Sequence, residues 1–157
     1  MAKTSLEAIK ALREKTSASL NDVRSALESA GGDEKKALEL LRQRGVQIAE
    51  KRSGRATGQG RVETYVHHDG RLGALIEINC ETDFVARTPA FVQFCRDVAM
   101  HVAAMDPQPS TLLEQPFVKD QGTTVGDLLK SLIATTGENV VIKRFTRYAV
   151  GEPAQPA

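Results

Sequence analysis

The sequence predicts an α+β protein: an N-terminal three-helix module, then an antiparallel three-stranded sheet packed with helices. Three observations carry this. Apolar residues recur at helical spacing through the first 45 positions. Alternating apolar residues flank Asp69-Gly70, a two-residue hairpin signal. A β-branched and aromatic run, Val140–Val150, follows two further helical stripes.

The elements follow in order. Leu6, Ile9 and Leu12 form the stripe of the first helix, with Thr4 or Ser5 as cap and Glu7 in the first turn. Thr16-Ser17-Ala18-Ser19 breaks the pattern. Ser19 caps a second helix facing inward through Leu20, Val23, Ala26, Leu27 and Ala30, and Gly31-Gly32 ends it by supplying positive φ. Asp33 caps a third, with Ala37, Leu38 and Leu41 inward and Gly45 at its close. So small a bundle suits an interaction module better than a catalytic one.

Residues 46–60 read as a basic linker, either solvated or a fraying extension of the third helix. Gly54, Gly58 and Gly60 interrupt it, and Lys51, Arg52, Arg55 and the following Arg61 charge it. Residues 61–152 form the second domain. Strands Val62–His68 and Leu72–Cys80 make a hairpin, with Leu72, Ala74, Ile76, Ile78 and Cys80 on one face. Thr88-Pro89 opens a helix as a cap followed by proline, and Phe91, Phe94, Cys95, Val98 and Val102 line one side of it. Asp106–Pro116, with Pro107, Pro109 and Pro116, reads as irregular. Thr124 and Asp127 cap a helix bearing Val125, Leu128, Leu129, Leu132 and Ile133, closed by Gly137. The tail 153–157 reads as loose. Three strands and two helices make a thin core, which suits association with a partner or with itself.

Composition narrows the function classes. The 157 residues are 41% hydrophobic and 26% charged, as in an ordinary soluble globular protein. No apolar run approaches the roughly 20 residues of a membrane span. The N-terminus has no apolar core of a secretory signal, and two cysteines make no secreted scaffold, so the expected location is cytoplasmic. Residues 1–60 carry 12 Lys and Arg against 8 Asp and Glu, whereas residues 61–157 carry 9 against 12. Neither half is strongly basic, and 4% aromatics offer few stacking platforms for single-stranded nucleic acid.

Enzyme signatures are absent: no phosphate-binding glycine loop, nucleophile elbow, HExxH, CxxC or EF-hand spacing occurs. No metal or cofactor is expected. His67 and His68, adjacent in a predicted strand, point to opposite faces and cannot chelate one ion together. His101 reads as a hydrogen-bonded packing residue, and Cys80 and Cys95 as small buried hydrophobes.

The segment Asn79-Cys80-Glu81-Thr82-Asp83-Phe84-Val85-Ala86-Arg87 sets acid, aromatic and base side by side between strand and helix. Taken on its residues alone, it fits a local cap at Thr82 or Asp83 with Phe84 buried against the next helix. The other reading makes Asp83 and Phe84 a rigid protruding wedge.

At these residues the chain resembles the translation elongation factor Ts family, whose signature is Asn-Cys-x-Thr-Asp-Phe-Val-Ala followed by Arg or Lys. Leu12-Arg13-Glu14-Lys15-Thr16 with Leu20 and Asp22 is similar to the family's opening module, which has a ubiquitin-associated-like fold. Ala99–Ala104, Gln115–Val118, Thr124–Leu129 and Gly137–Arg147 are similar to later motifs in the same order. The resemblance implies a guanine-nucleotide exchange factor for elongation factor Tu, without covalent catalysis. It places Arg13, Leu20 and Asp22 at the contact with the partner's nucleotide-binding domain, and His68 at a turn reaching another of its domains. It assigns Thr82, Asp83, Phe84 and Val85 to dislodging the partner's magnesium. The single hairpin core resembles compact members that pair as homodimers. The alternative is an RNA- or ribosome-associated protein using the basic 51–61 stretch. A ubiquitin-binding adaptor would leave everything after the first module unexplained.

Overall fold

The computed structural model describes residues 5–16 and 18–153. Thr4, Ser17 and residues 154–157, and the expectations attached to them, lie outside the described residues. The chain divides into two compact units. One holds the residues up to Arg55 together with Leu129–Asn139, and the other holds Ala56–Leu128 and the residues from Val140 on.

In the first unit, α1 spans Leu6–Thr16, α2 Leu20–Ser29 and α3 Glu34–Arg52. Each start is set by a short polar side chain satisfying an orphan backbone donor. The Ala8 N–H donates to Ser5 Oγ at 3.1 Å, Asp22 N–H to Ser19 Oγ at 3.1 Å, and Lys36 N–H to Asp33 Oδ1 at 3.1 Å. Gly31 and Gly32 stand at φ 63° and 88°, and the Gly32 N–H returns to the Leu27 carbonyl, closing α2 as expected. Ile9, Leu12, Val23, Ala26, Leu27 and Ala37 form the core, with Leu38 and Leu41 packed at its edge. Leu6 and Leu20, assigned inward from their spacing, are instead 65% and 51% exposed.

Gly45 does not end the third helix. It is buried within α3, beside the Lys130 carbonyl, and the helix runs on to Arg52. The first residues of the expected linker are therefore helical. The 129–139 segment also meets the bundle through the Ser131 hydroxyl, which donates to the Thr16 carbonyl at 2.8 Å, and through Asn139 Nδ2, which donates to the Arg55 carbonyl at 2.8 Å.

The second unit is built on an antiparallel sheet of order β1-β2-β5, with β1 Gln59–Val66, β2 Leu72–Cys80 and β5 Val140–Ala149. Pairing runs from Gln59↔Cys80 to Val66↔Gly73 on one side of β2 and from Cys80↔Val140 to Leu72↔Ala149 on the other. A register shift at Glu77/Ile78 leaves Lys143 as the extra residue of β5. Ala74, Ile76, Ile78 and Cys80 are buried on one face of β2, the side α5 (Pro89–Met105) supplies with Phe91, Phe94, Cys95, Val98 and Val102. Thr88 caps α5, accepting from the Phe91 N–H at 3.3 Å.

Between α5 and α6 (Val125–Thr136) lie a 3-10 turn at Leu112–Glu114 and a small ribbon of β3 (Pro116–Phe117) with β4 (Asp120–Thr124). The ribbon was invisible in the pattern because its strands are short and β4, Asp-Gln-Gly-Thr-Thr, has no apolar phase. Thr124 and Asp127 cap reciprocally. The Asp127 N–H donates to Thr124 Oγ1 at 3.0 Å and the Thr124 N–H to Asp127 Oδ2 at 3.2 Å.

The fold is α+β, with a three-helix N-terminal region and an antiparallel three-stranded sheet carrying helices.

Candidate functional site

The chain leaves β2 at Cys80 and within two residues enters α4, a single turn of helix over Asp83–Ala86. Thr82, rather than Asp83, is its cap, with Oγ1 accepting from the Val85 N–H at 3.4 Å. Ala86 is buried and anchors the turn, while Phe84 is 80% exposed. The reading of Phe84 as a core residue is therefore wrong. In a helix, residues two apart face away from each other, so burying Ala86 turns Phe84 outward. Asp83 Oδ2 lies 2.9 Å from the Arg87 guanidinium, one turn on. Val85 is half-buried. The turn thus presents an apolar ring next to a carboxylate held by a surface cation.

Beneath it sit the two thiols. Neither Cys80 nor Cys95 forms a disulfide, and both are fully buried. The Cys80 Sγ donates to the Thr82 carbonyl at 3.1 Å. Burial pushes the Cys95 thiol up to about 12, so it stays protonated and unreactive in the folded protein. Cys80 is thus more than the small hydrophobe its strand phase suggests, and no spacing signals its bond to Thr82.

His68 lies on the β1–β2 connection. That connection is five residues long, 67–71, and not the two of a tight hairpin. The His67 N–H donates to the Leu72 carbonyl at 2.8 Å, the Gly70 N–H donates to the His67 carbonyl at 2.8 Å, and Gly70 takes φ 68°. Both histidines are outside the strand, so alternation does not separate them. Their ring centroids are 4.2 Å apart, with Tyr65 Oη 3.0 Å from His67 Nδ1. The Arg71 N–H holds the Asp69 carboxyl below its ordinary value, with the neighbouring imidazoles adding to this. Among the described residues no group of three or more His, Cys, Asp and Glu is arranged to hold a metal ion. The connection and α4 lie at opposite ends of β2, about 27 Å apart at ~3.4 Å per residue. The structure therefore does not bring His68 and Phe84 together.

In the first unit Arg13 is exposed on α1, and Leu20 and Asp22 occupy the first turn of α2. The Asp22 carboxylate is engaged by Arg44 at 2.9 Å and by the Ser19 hydroxyl at 2.7 Å. His101 is satisfied in the core. Its Nδ1 accepts from the Val118 N–H at 3.2 Å, which leaves Nε2 to donate to Gln115 Oε1 at 2.9 Å, and burial lowers its pKa.

One surface was missed. On the sheet face away from α5, Val62, Val66, Leu75, Val141 and Tyr148 are all exposed, Tyr148 by 74%. Register spreads them along one face in successive rows: Val66↔Gly73↔Tyr148, Thr64↔Leu75↔Thr146, Val62↔Glu77↔Arg144 and Gly60↔Asn79↔Val141. The signal was present in β1, whose valines fall in the opposite phase to Tyr65.

The family model for elongation factor Ts matches residues 3–110. The chain belongs to the elongation factor Ts family. It is 43% identical to elongation factor Ts of Rubrobacter xylanophilus, covering 92% of this chain and 98% of that protein. It is 38% identical to that of Solidesulfovibrio magneticus, covering 98% and 100%, and 39% identical to that of Thermotoga petrophila, covering 94% and 96%. Membership of the elongation factor Ts family gives the chain a role in translation elongation. The match to the Rubrobacter protein extends over 191 positions against 157 residues here, so at least 34 of them have no residue of this chain opposite. No helix among the described residues is long and apolar enough to cross a membrane.

Proposed function

We propose that this protein is a guanine-nucleotide exchange factor for elongation factor Tu, acting in the cytoplasm. It would promote GDP release by disturbing the partner's magnesium site and stabilising the nucleotide-free state. The observation that supports this best is Phe84, 80% exposed on a capped turn. Leaving a phenylalanine in water forgoes roughly 2–3 kcal/mol of burial. An aromatic ring so placed gains that energy when it enters a partner.

The residues divide by role. Residues 1–45 anchor the partner as a ubiquitin-associated-like module, through Arg13, Leu20 and Asp22, and His68 reaches a second surface of it. Residues 46–60, which run from the last turns of α3 to the start of β1, link this module to the core, residues 61–152. There Thr82 holds the turn, Phe84 wedges, Val85 lines its base, and Asp83 brings negative charge to the magnesium shell. Magnesium and the phosphate-binding loop hold the diphosphate, so loosening that shell raises the nucleotide off-rate. Linkage completes the cycle. A factor that binds the empty partner more tightly than the loaded one weakens nucleotide binding by the same factor, and incoming GTP releases it. No covalent step and no cofactor is needed. The exposed Val62–Tyr148 sheet face supports a homodimer, with a second copy covering it.

The RNA-binding reading gains nothing. Arg61 is held by Glu63 at 2.8 Å, and Lys51 and Arg52 form the last turn of α3, where cations stabilise the helix C-terminus.

The test is release of fluorescent GDP from elongation factor Tu with wild type and Phe84→Ala. Wild type should accelerate release strongly, and Phe84→Ala should lose about tenfold or more of that effect while still binding. A complex that forms without any acceleration by wild type would overturn the exchange reading in favour of a scaffold.

A further inference from the structure

Resting on the exchange reading above, we infer that Cys80 and Thr88 are positioning residues that hold Phe84 from the two ends of α4. A four-residue helix has no stability of its own, because a single turn does not recover the cost of nucleation. Phe84 contributes no burial to fix itself. The place of the ring is therefore set by what grips the backbone on either side.

At the front, Cys80 is the last residue of the central strand, paired with Gln59 on one side and Val140 on the other, and is fully buried. Its thiol donates to the Thr82 carbonyl at 3.1 Å, the same oxygen that accepts the Ala86 N–H at 3.3 Å. The first carbonyl of the turn is thus aimed by a group fixed in the middle of the sheet. At the rear, the Thr88 hydroxyl donates to the Val85 carbonyl at 2.8 Å, and the Thr88 N–H donates to the same oxygen at 3.0 Å. That hydroxyl also accepts from the N–H of Phe91, which is fully buried under the sheet. One oxygen thereby ties the end of α4 to the start of α5. A wedge on a fixed base loses less freedom on docking than one on a loose loop, so the brace acts on exchange more than on affinity.

The chain contains no tryptophan, so Phe84→Trp is a single reporter at the tip of the turn. Time-resolved anisotropy of that reporter is measured in the full-length protein with Cys80→Ala, Cys80→Ser, Thr88→Val and Thr88→Ser. In parallel, the Phe84 versions of the same variants are titrated in the GDP-release assay. The fast depolarising amplitude should rise about twofold in Cys80→Ala and Thr88→Val and return in both serine variants, which keep the donor. The maximal release rate should fall about fivefold in the first pair, the worth of one hydrogen bond, with the half-saturating concentration within about twofold and recovery in the serines. Unchanged anisotropy in folded Cys80→Ala and Thr88→Val overturns the inference. So does equal loss in the serine variants, which would mark a packing role. Should Cys80→Ala fail to fold, Thr88→Val and the two serines decide. If wild type does not accelerate release, the exchange reading fails while the anisotropy still judges the brace.

Discussion

The Arg44 guanidinium stands 2.9 Å from the Asp22 carboxylate, tying the start of α2 to the second half of α3. Asp22 is one of the proposed anchoring residues, so that contact is presented by an ion pair already formed inside the module. Neighbouring Leu20 carries no such duty, being half exposed at the head of the same helix.

These two residues should therefore respond differently. Leu20→Ala should leave thermal stability within about 0.5 kcal/mol of wild type while weakening partner affinity by about 5- to 30-fold. Arg44→Ala should weaken affinity only about two- to threefold, because an exposed pair contributes less than 1 kcal/mol. Asp22→Ala should fall between them. Isothermal titration against the partner measures all three. Equal effects of Asp22→Ala and Arg44→Ala would mean that Asp22 acts only through Arg44.

His101 gives the second unit a pH dependence with a defined sign. Burial lowers its folded pKa below the ordinary histidine value near 6.5. The unfolded chain then binds the proton more readily than the folded one. Stability from this residue is present above about pH 6.5 and is lost as the pH falls through that value toward the lower folded pKa. Urea midpoints should drop in wild type as the pH falls below about 6.5. In His101→Leu that slope should flatten. The variant should also lose about 2–4 kcal/mol throughout, because the Val118 N–H and Gln115 Oε1 are left without their partner.

The open sheet face makes the homodimer testable through Leu75, which is 44% exposed and paired on either side with Thr64 and Thr146. Leu75→Glu places a charge with no cation directly opposite on either neighbouring strand. Monomer stability should change by less than about 1 kcal/mol. Sedimentation velocity should show a dimer for wild type and a monomer for the variant. A dimer that survives Leu75→Glu would place the self-contact elsewhere.

Much of the chain could be read from residues within one turn of each other. Ser19, Asp33, Thr88-Pro89 and the Thr124/Asp127 pair all cap where the pattern places them, because a cap needs only a side-chain oxygen and an N–H two or three residues on. Burial of alternate β2 residues follows equally from a period of two. What could not be read depends on distant residues. Gly60, counted as a linker glycine, lies in β1, where a Cβ would come within 2.3 Å of the Ile78 carbonyl. Gly45 looks like a helix end and is a helix interior, set against the backbone of Lys130.

The sequence by itself determined the element types, their starts, the α+β class and the family, since these rest on local hydrogen bonding, hydrophobic period and motif order. Only the tertiary structure decided that Phe84 faces water, that a thiol from the sheet centre grips the turn beneath it, and that one face of the sheet stands open. Exposure is not a property of a residue's neighbours in the chain. It is set by what packs opposite, and here the opposing groups come from strands and helices tens of residues away.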